Sequence, residues 1–106
     1  MKSVLALTLL FPLATSAANL ECSIKASKLI RQAEVTGMAK VSVDEAKKTA
    51  LSAVNAPGAT INKGGLEVED GCLVYSYDVK VPGKSGVEEV VIDAGSGKIL
   101  KTEHER

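Results

Sequence analysis

The stretch from residue 41 to residue 100 constrains the fold most, because one capped helical segment is followed by short alternating segments separated by turn signals. Ser42 and Glu45 stand three positions apart, the spacing of a capping box in which each side chain bonds the other residue's backbone N–H. The apolar residues that follow recur at helical spacing: Val43, Ala46, Ala50, Leu51 and Val54. We therefore predict an amphipathic helix that begins at Ser42 and stops at residues 55–58, where Asn, Pro and Gly disfavour its continuation.

Beyond this helix the hydrophobic period changes from helical to alternating, which is typical of strands. Leu66 and Val68 alternate with glutamates up to Asp70-Gly71, a two-residue hairpin signal. On the return strand one set of side chains shares the face that we expect under the helix: Leu73, Tyr75, Tyr77, Val79 and Val81. Two more strands are predicted, at residues 87–93 and 98–102. The pattern predicts an α+β fold in which a helix packs on an antiparallel sheet.

The N-terminal region has the pattern of a secretory signal peptide. Lys2 precedes an apolar run over residues 4–13 and small residues at 15–18. The run is too short for a bilayer, which takes about 20 apolar residues. We predict that residues 1–17 are removed on export, leaving a secreted, periplasmic protein without a membrane anchor.

The segment after the predicted cleavage site contains loosely helical apolar spacing. We predict a helix over residues 22–34, ended by Gly37, with a connector over residues 35–40. At the other end, residues 103–106 are predicted to be a tail, frayed over His104-Glu105-Arg106.

Both cysteines, Cys22 and Cys72, remain after the predicted cleavage. An even cysteine count in a small exported chain favours a disulfide, so we predict that these two residues are bridged. Because Cys72 has the parity of the strand residues that face away from the helix, the bridge should hold the N-terminal segment near the hairpin end.

The composition excludes several classes of function. The mature side chains carry 12 positive and 13 negative charges, and Tyr75 and Tyr77 are their only aromatic residues. Neither a basic patch nor a stacking platform for nucleic acid results. The single histidine, His104, has no predicted Ser, Cys or Asp partner, so we expect no catalytic residues, no metal site, no cofactor and no enzymatic activity. One alternative is a convergence of strand carboxylates, which bind calcium in some proteins: Glu67, Glu69, Asp70, Glu88 and Glu89.

In order and spacing, residues 41–100 resemble the PepSY domain. The resemblance rests on the buried helix alanines, on the strand ending in Tyr75, and on Asp93 followed by Gly97-Lys98 at the closing turn. It implies a cystatin-like helix on a sheet, with signal peptide 1–17, a helical segment and connector at 18–40, the PepSY domain at 41–102 and the tail at 103–106. The residues expected to define this fold are Ser42, Glu45, Gly71, Tyr75, Asp93 and Gly97. Asp93 should accept backbone N–H groups of its turn, and Gly97 should adopt a left-handed conformation.

The resemblance also implies a function by binding. PepSY domains in peptidase propeptides help to fold and restrain the enzyme, so we expect a modulator that acts in trans on an envelope peptidase. The alternative is a small-ligand-binding or signalling accessory of an envelope sensor protein. The candidate contact surface is either an unpaired edge strand that adds to a partner's sheet or the sheet face away from the helix, with the residues Glu67, Glu69, Ser76 and Asp78.

Overall fold

Four antiparallel strands form one sheet in sequence order, and two helices pack on one of its faces. The structure is a computed structural model that describes residues 21–106. Its elements are α1 (Gln32–Met38), α2 (Val43–Val54), β1 (Thr60–Glu69), β2 (Cys72–Lys80), β3 (Val87–Asp93) and β4 (Ile99–Glu105). The predicted α+β class is confirmed. The expected signal peptide lies outside the described residues.

The capping box predicted for α2 is present. The Ser42 hydroxyl accepts a hydrogen bond from the Glu45 backbone N–H at 3.1 Å, and a Glu45 carboxylate oxygen accepts one from the Ser42 N–H at 3.3 Å. The helix ends at Asn55, which has a left-handed conformation with φ of 50°. Ala46 and Ala50 are completely buried, and their small side chains let the helix lie close to the sheet.

The two sheet faces divide as the alternation predicted. The helix-facing side chains of β2 form the main core together with Val90 and Ile92 of β3. Asp70 and Gly71 both have positive φ, as a two-residue hairpin turn requires. On the outer face Cys72, Val74 and Val91 form a second, smaller apolar cluster.

The helix predicted over residues 22–34 is wrong for residues 22–31, and only residues 32–34 are helical, as the start of α1. Lys25 instead pairs in an antiparallel bridge with Cys72, and the Leu73 backbone N–H donates to the Ile24 carbonyl at 2.9 Å. Pairing with β2 overrides the weak helical spacing of this segment, a long-range effect that local periodicity does not record. Helix α1 begins only at Gln32 and continues through Gly37, so most of the predicted connector is helical.

The C-terminal residues are also more ordered than predicted. Strand β4 runs to Glu105 instead of ending at Thr102, and Glu105 pairs with Val87. The His104 Nδ1 atom lies 2.6 Å from a carboxylate oxygen of Glu88 on the neighbouring strand. Backbone pairing with β3 therefore accounts for the order of residues 103–105.

Candidate functional site

The outer face of the sheet carries a concentration of carboxylates, which we call the acidic face: Glu67, Glu69, Asp78, Glu89, Glu103 and Glu105. Alternation along the strands places these side chains opposite the core residues. The strand register sets Asp78 beside Glu89 and Glu89 beside Glu103, so three acidic residues form one row across β2, β3 and β4. Like charges directly opposite one another destabilise a sheet, so this row has a cost in folding free energy.

Three of the four predicted contact residues present carboxylates on this face, whereas Ser76 does not act as a surface residue. Only 5% of Ser76 is exposed, and its hydroxyl donates a hydrogen bond to a Glu89 carboxylate oxygen at 3.0 Å. Glu69 is balanced by Lys101, whose Nζ lies 3.4 Å from its carboxylate. The Ser76 hydroxyl therefore orients the Glu89 side chain. Of the predicted contact residues, Glu67 and Asp78 form no salt bridge within residues 21–106.

Two carboxylates of the acidic face, Glu67 and Glu105, have raised pKa values. Partial burial raises the pKa of Glu67, and repulsion from Glu69 and Glu89 raises it further. Repulsion from Glu89 is also the largest cause of the raised pKa of Glu105. A positively charged group placed on this face would therefore stabilise the ionised carboxylates.

The structure brings together a different set of carboxylates from the one that the sequence suggested. Oxygen atoms of Glu89, Glu103 and Glu105 lie within 4.8 Å of one another, whereas Glu88 points to the other face and pairs with His104. Each of these residues offers one ligand oxygen to the group, and three oxygens are fewer than the six to eight that Ca²⁺ takes. The sequence did not predict this group, because residues 103–106 were predicted to be a tail and not part of a strand.

Asp93 has the turn-binding role predicted for it. It is 3% exposed, and its carboxylate accepts the Gly95 backbone N–H at 3.0 Å and the Ser96 hydroxyl at 2.8 Å. Ser23 adds two further hydrogen bonds that the sequence did not predict. Burial alone would raise the pKa of Asp93, but the hydrogen bonds to its ionised form outweigh burial and lower it. Gly97 has φ of 82°, which confirms the left-handed conformation expected for this position.

The two tyrosines lie in the core instead of lining an open groove. The Tyr75 hydroxyl donates to the Val41 carbonyl at 2.7 Å, and its ring stacks on Tyr77 with centroids 6.1 Å apart. The Tyr77 hydroxyl is buried and has no hydrogen-bond partner within residues 21–106. Burial raises the pKa of both phenols.

An open groove lies between α2 and β4, and sequence reasoning did not predict it. One part, about 400 Å³, is lined by Lys48, Thr49, Ser52, Ala53 and Ile99. A second part of about 250 Å³ shares Ala53 and extends towards Thr102. The groove exists because α2 covers β1 to β3 and leaves the helix-facing side of β4 uncovered, so that Ile99 is 45% exposed.

Comparison with known families agrees with this architecture. The family model described as "Peptidase propeptide and YPEB domain", PepSY, matches residues 40–103, more than half of the chain. The chain belongs to the PepSY family. Neither a curated protein nor a solved structure matches it.

PepSY domains are generally non-catalytic propeptide or regulatory domains, and a PepSY domain with a disulfide between Cys22 and Cys72 points to an extracytoplasmic protein. Within residues 21–106 no helix is long and apolar enough to cross a membrane.

Proposed function

We propose that this chain is an exported, non-enzymatic PepSY protein that modulates a separate envelope peptidase, as an inhibitor or as a folding aid. The observation that carries the proposal is the acidic face, a sheet surface that neither helix of residues 21–106 covers, on a domain whose family includes peptidase propeptides. Glu67 is exposed and Asp78 is half-buried, and neither forms a salt bridge within the described residues. Ser76 and Lys28 stabilise the ionised form of Glu67, and Lys63 stands opposite Asp78 in the strand register, but both carboxylates reach the surface where a partner can contact them.

The chemistry of the face specifies the contact. When the pKa of a carboxylate is raised by its neighbours, an approaching cation stabilises the ionised form. The contacting surface of the peptidase would therefore carry lysine or arginine. Exposed strand charges contribute little to folding stability. Reversing them should therefore weaken association and leave the domain folded.

The test is a crosslinking pull-down from native envelopes with the exported protein as bait, followed by assays of the captured peptidase with and without the bait. The variants are Glu67→Lys and the double variant Glu67→Lys/Glu69→Lys. Glu34→Lys is the matched control, because Glu34 is an exposed carboxylate on α1, away from the acidic face. We expect loss of peptidase capture with the first two variants only. If no peptidase is enriched and no envelope protease changes rate, the proposal fails.

The groove between α2 and β4 favours one alternative function, the capture of a small ligand for an envelope sensor protein. Its larger part, about 400 Å³, has the size of a small-molecule site, but the walls of both parts are largely open. A thermal-shift screen of envelope metabolites separates the two functions. A ligand that raises the melting temperature of the native protein, and no longer does so with Ala53→Trp, would support the sensor accessory.

A further inference from the structure

Strand β4 is an edge strand with properties that favour pairing with another strand. Within residues 21–106 it is hydrogen-bonded to β3 alone, and residues 101–105 follow the β3 register without a shift. Thr102, Glu103 and His104 are all exposed. The segment contains neither proline nor glycine, two residues that protect or weaken edges.

The opposite edge, β1, is built differently. Its pairing with β2 shifts register between Ile61 and Lys63, and Gly64 has φ of 136°. A bulge and two adjacent glycines, Gly64 and Gly65, interrupt the regular row of backbone groups that a new strand would need. Of the two edges, β4 is therefore the one suited to strand addition.

The sequence of β4 is complementary to itself in the antiparallel direction. When two copies pair with Thr102 opposite Thr102, Lys101 of each copy faces Glu103 of the other. Both side chains lie on the acidic face, where directly opposite strand residues have Cβ atoms about 5 Å apart. Two symmetric ion pairs result, one on each side of the two-fold axis.

The same pairing would also balance negative charge that remains around Glu103 in a single copy. Glu103 stands beside Glu89 in the strand register, and oxygen atoms of both residues lie within 4.8 Å of Glu105. Within residues 21–106 Lys101 forms a salt bridge with Glu103, but its Nζ lies closer to Glu69, at 3.4 Å, than to Glu103, at 3.8 Å. A second lysine supplied across the interface would neutralise Glu103.

From these observations we propose that β4 is a dimerisation strand, and that two copies of this chain join edge to edge through it into one continuous eight-stranded antiparallel sheet. The register is centred on Thr102, and the Lys101–Glu103 pairs select it. Both copies keep their helices on the same side, because a two-fold axis perpendicular to the sheet preserves its faces. The proposal needs no peptidase and stands independently of the proposed function.

The decisive experiment is sedimentation equilibrium on the exported protein and two charge-reversal variants, Lys101→Glu and Glu103→Lys. The native protein should dimerise. Each variant alone places like charges opposite one another and should raise the dimer dissociation constant about tenfold or more. An equimolar mixture of the two variants restores opposite charges at both positions, so a heterodimer should form with nearly native affinity.

Thermal melts establish that both variants are folded, and a cysteine variant provides a test that does not depend on charge. Thr102→Cys places two cysteines opposite each other at the two-fold axis, within disulfide range, and should give a crosslinked dimer on mild oxidation. Lys47→Cys, on an exposed part of α2, is the control and should give no disulfide-linked dimer on the same oxidation. A native protein that is monomeric up to about 1 mM, where weak interfaces still associate, overturns the proposal. So do variants that dimerise as well as the native protein, or crosslinking through residue 47 but not residue 102.

Discussion

Ser23 and Asp93 lie 70 positions apart in the chain, yet they share two hydrogen bonds. The Ser23 backbone N–H donates to one carboxylate oxygen of Asp93 at 3.1 Å, and its hydroxyl donates to the other at 3.0 Å. The same carboxylate accepts the Gly95 N–H of the β3–β4 turn. Asp93 thus joins the N-terminal segment to the turn between β3 and β4.

The first prediction concerns acid stability. Because the pKa of Asp93 is lowered in the folded state, its ionised form stabilises the fold above the ordinary Asp range, and this stability is lost as the pH falls through the lowered pKa. Asp93→Asn should cost about 3 kcal/mol near neutral pH, since hydrogen bonds to a charged acceptor are lost. The difference between the native protein and the variant should shrink towards acid.

The measurement is the free energy of unfolding in urea between about pH 2 and pH 6 for both proteins. Contributions from other carboxylates, including Glu67 with its raised pKa, largely cancel in the difference. Ser23→Ala is the companion variant and should cost about 1–2 kcal/mol, because it removes one of the two Ser23 bonds. A difference between native protein and Asp93→Asn that does not change with pH contradicts the assigned ionisation.

The second prediction concerns the disulfide between Cys22 and Cys72, which the sequence predicted and the structure confirms. The bridge closes a loop with a sequence separation of 50. In the chain-entropy model such a loop corresponds to about 4 kcal/mol, a large share of a small domain's stability. Urea unfolding of Cys22→Ala/Cys72→Ala, compared with the native protein before and after reduction, measures it. A loss below about 1 kcal/mol would show that Ile24 and Asp93 contacts hold the segment without the bridge.

Sequence reasoning succeeded where local signals and the fold agree. The Ser42 capping box, the Asp70-Gly71 hairpin and the alternating core face of β2 are all set by neighbours within a few positions, and all are present. It failed for residues 22–31 and 103–105, where pairing with distant strands determines the structure. The candidate site shows the same division. Alternation placed Glu67 and Glu69 on one face. The sequence did not predict that Glu103 and Glu105 lie on the same face, because β4 was expected to end at residue 102.

The third prediction compares two stacked tyrosines that differ in hydrogen bonding. Tyr75→Phe removes the hydrogen bond to the Val41 carbonyl, next to the start of α2, and leaves that carbonyl without this donor. The variant should therefore cost about 1–2 kcal/mol. Tyr77→Phe removes a buried hydroxyl without a partner in the described residues, so it should be neutral or stabilising. Each variant is the matched control for the other, since both remove one oxygen from a buried ring. Thermal melts that rank them in the opposite order would show that the Tyr77 hydroxyl is satisfied by ordered water.

The fourth prediction concerns the β3–β4 turn, where Gly97 and Lys98 are neighbours with different demands. Gly97 has φ of 82°, and its N–H donates to the Asp93 carbonyl at 2.9 Å. A Cβ at this position would lie 3.6 Å from the nearest Val41 side-chain atom, an ordinary contact, so the cost of a side chain comes from backbone strain and not from a clash. Gly97→Val should therefore destabilise the domain by about 2 kcal/mol or more, and Gly97→Ala by about 1–2 kcal/mol.

Lys98 is exposed, and its carbonyl, which accepts the Asp93 N–H at 2.8 Å, is unaffected by side-chain truncation. Lys98→Ala should thus lie within about 0.5 kcal/mol of the native protein. Chemical denaturation of the three variants ranks them, and equal stabilities would remove the requirement for a left-handed residue at position 97.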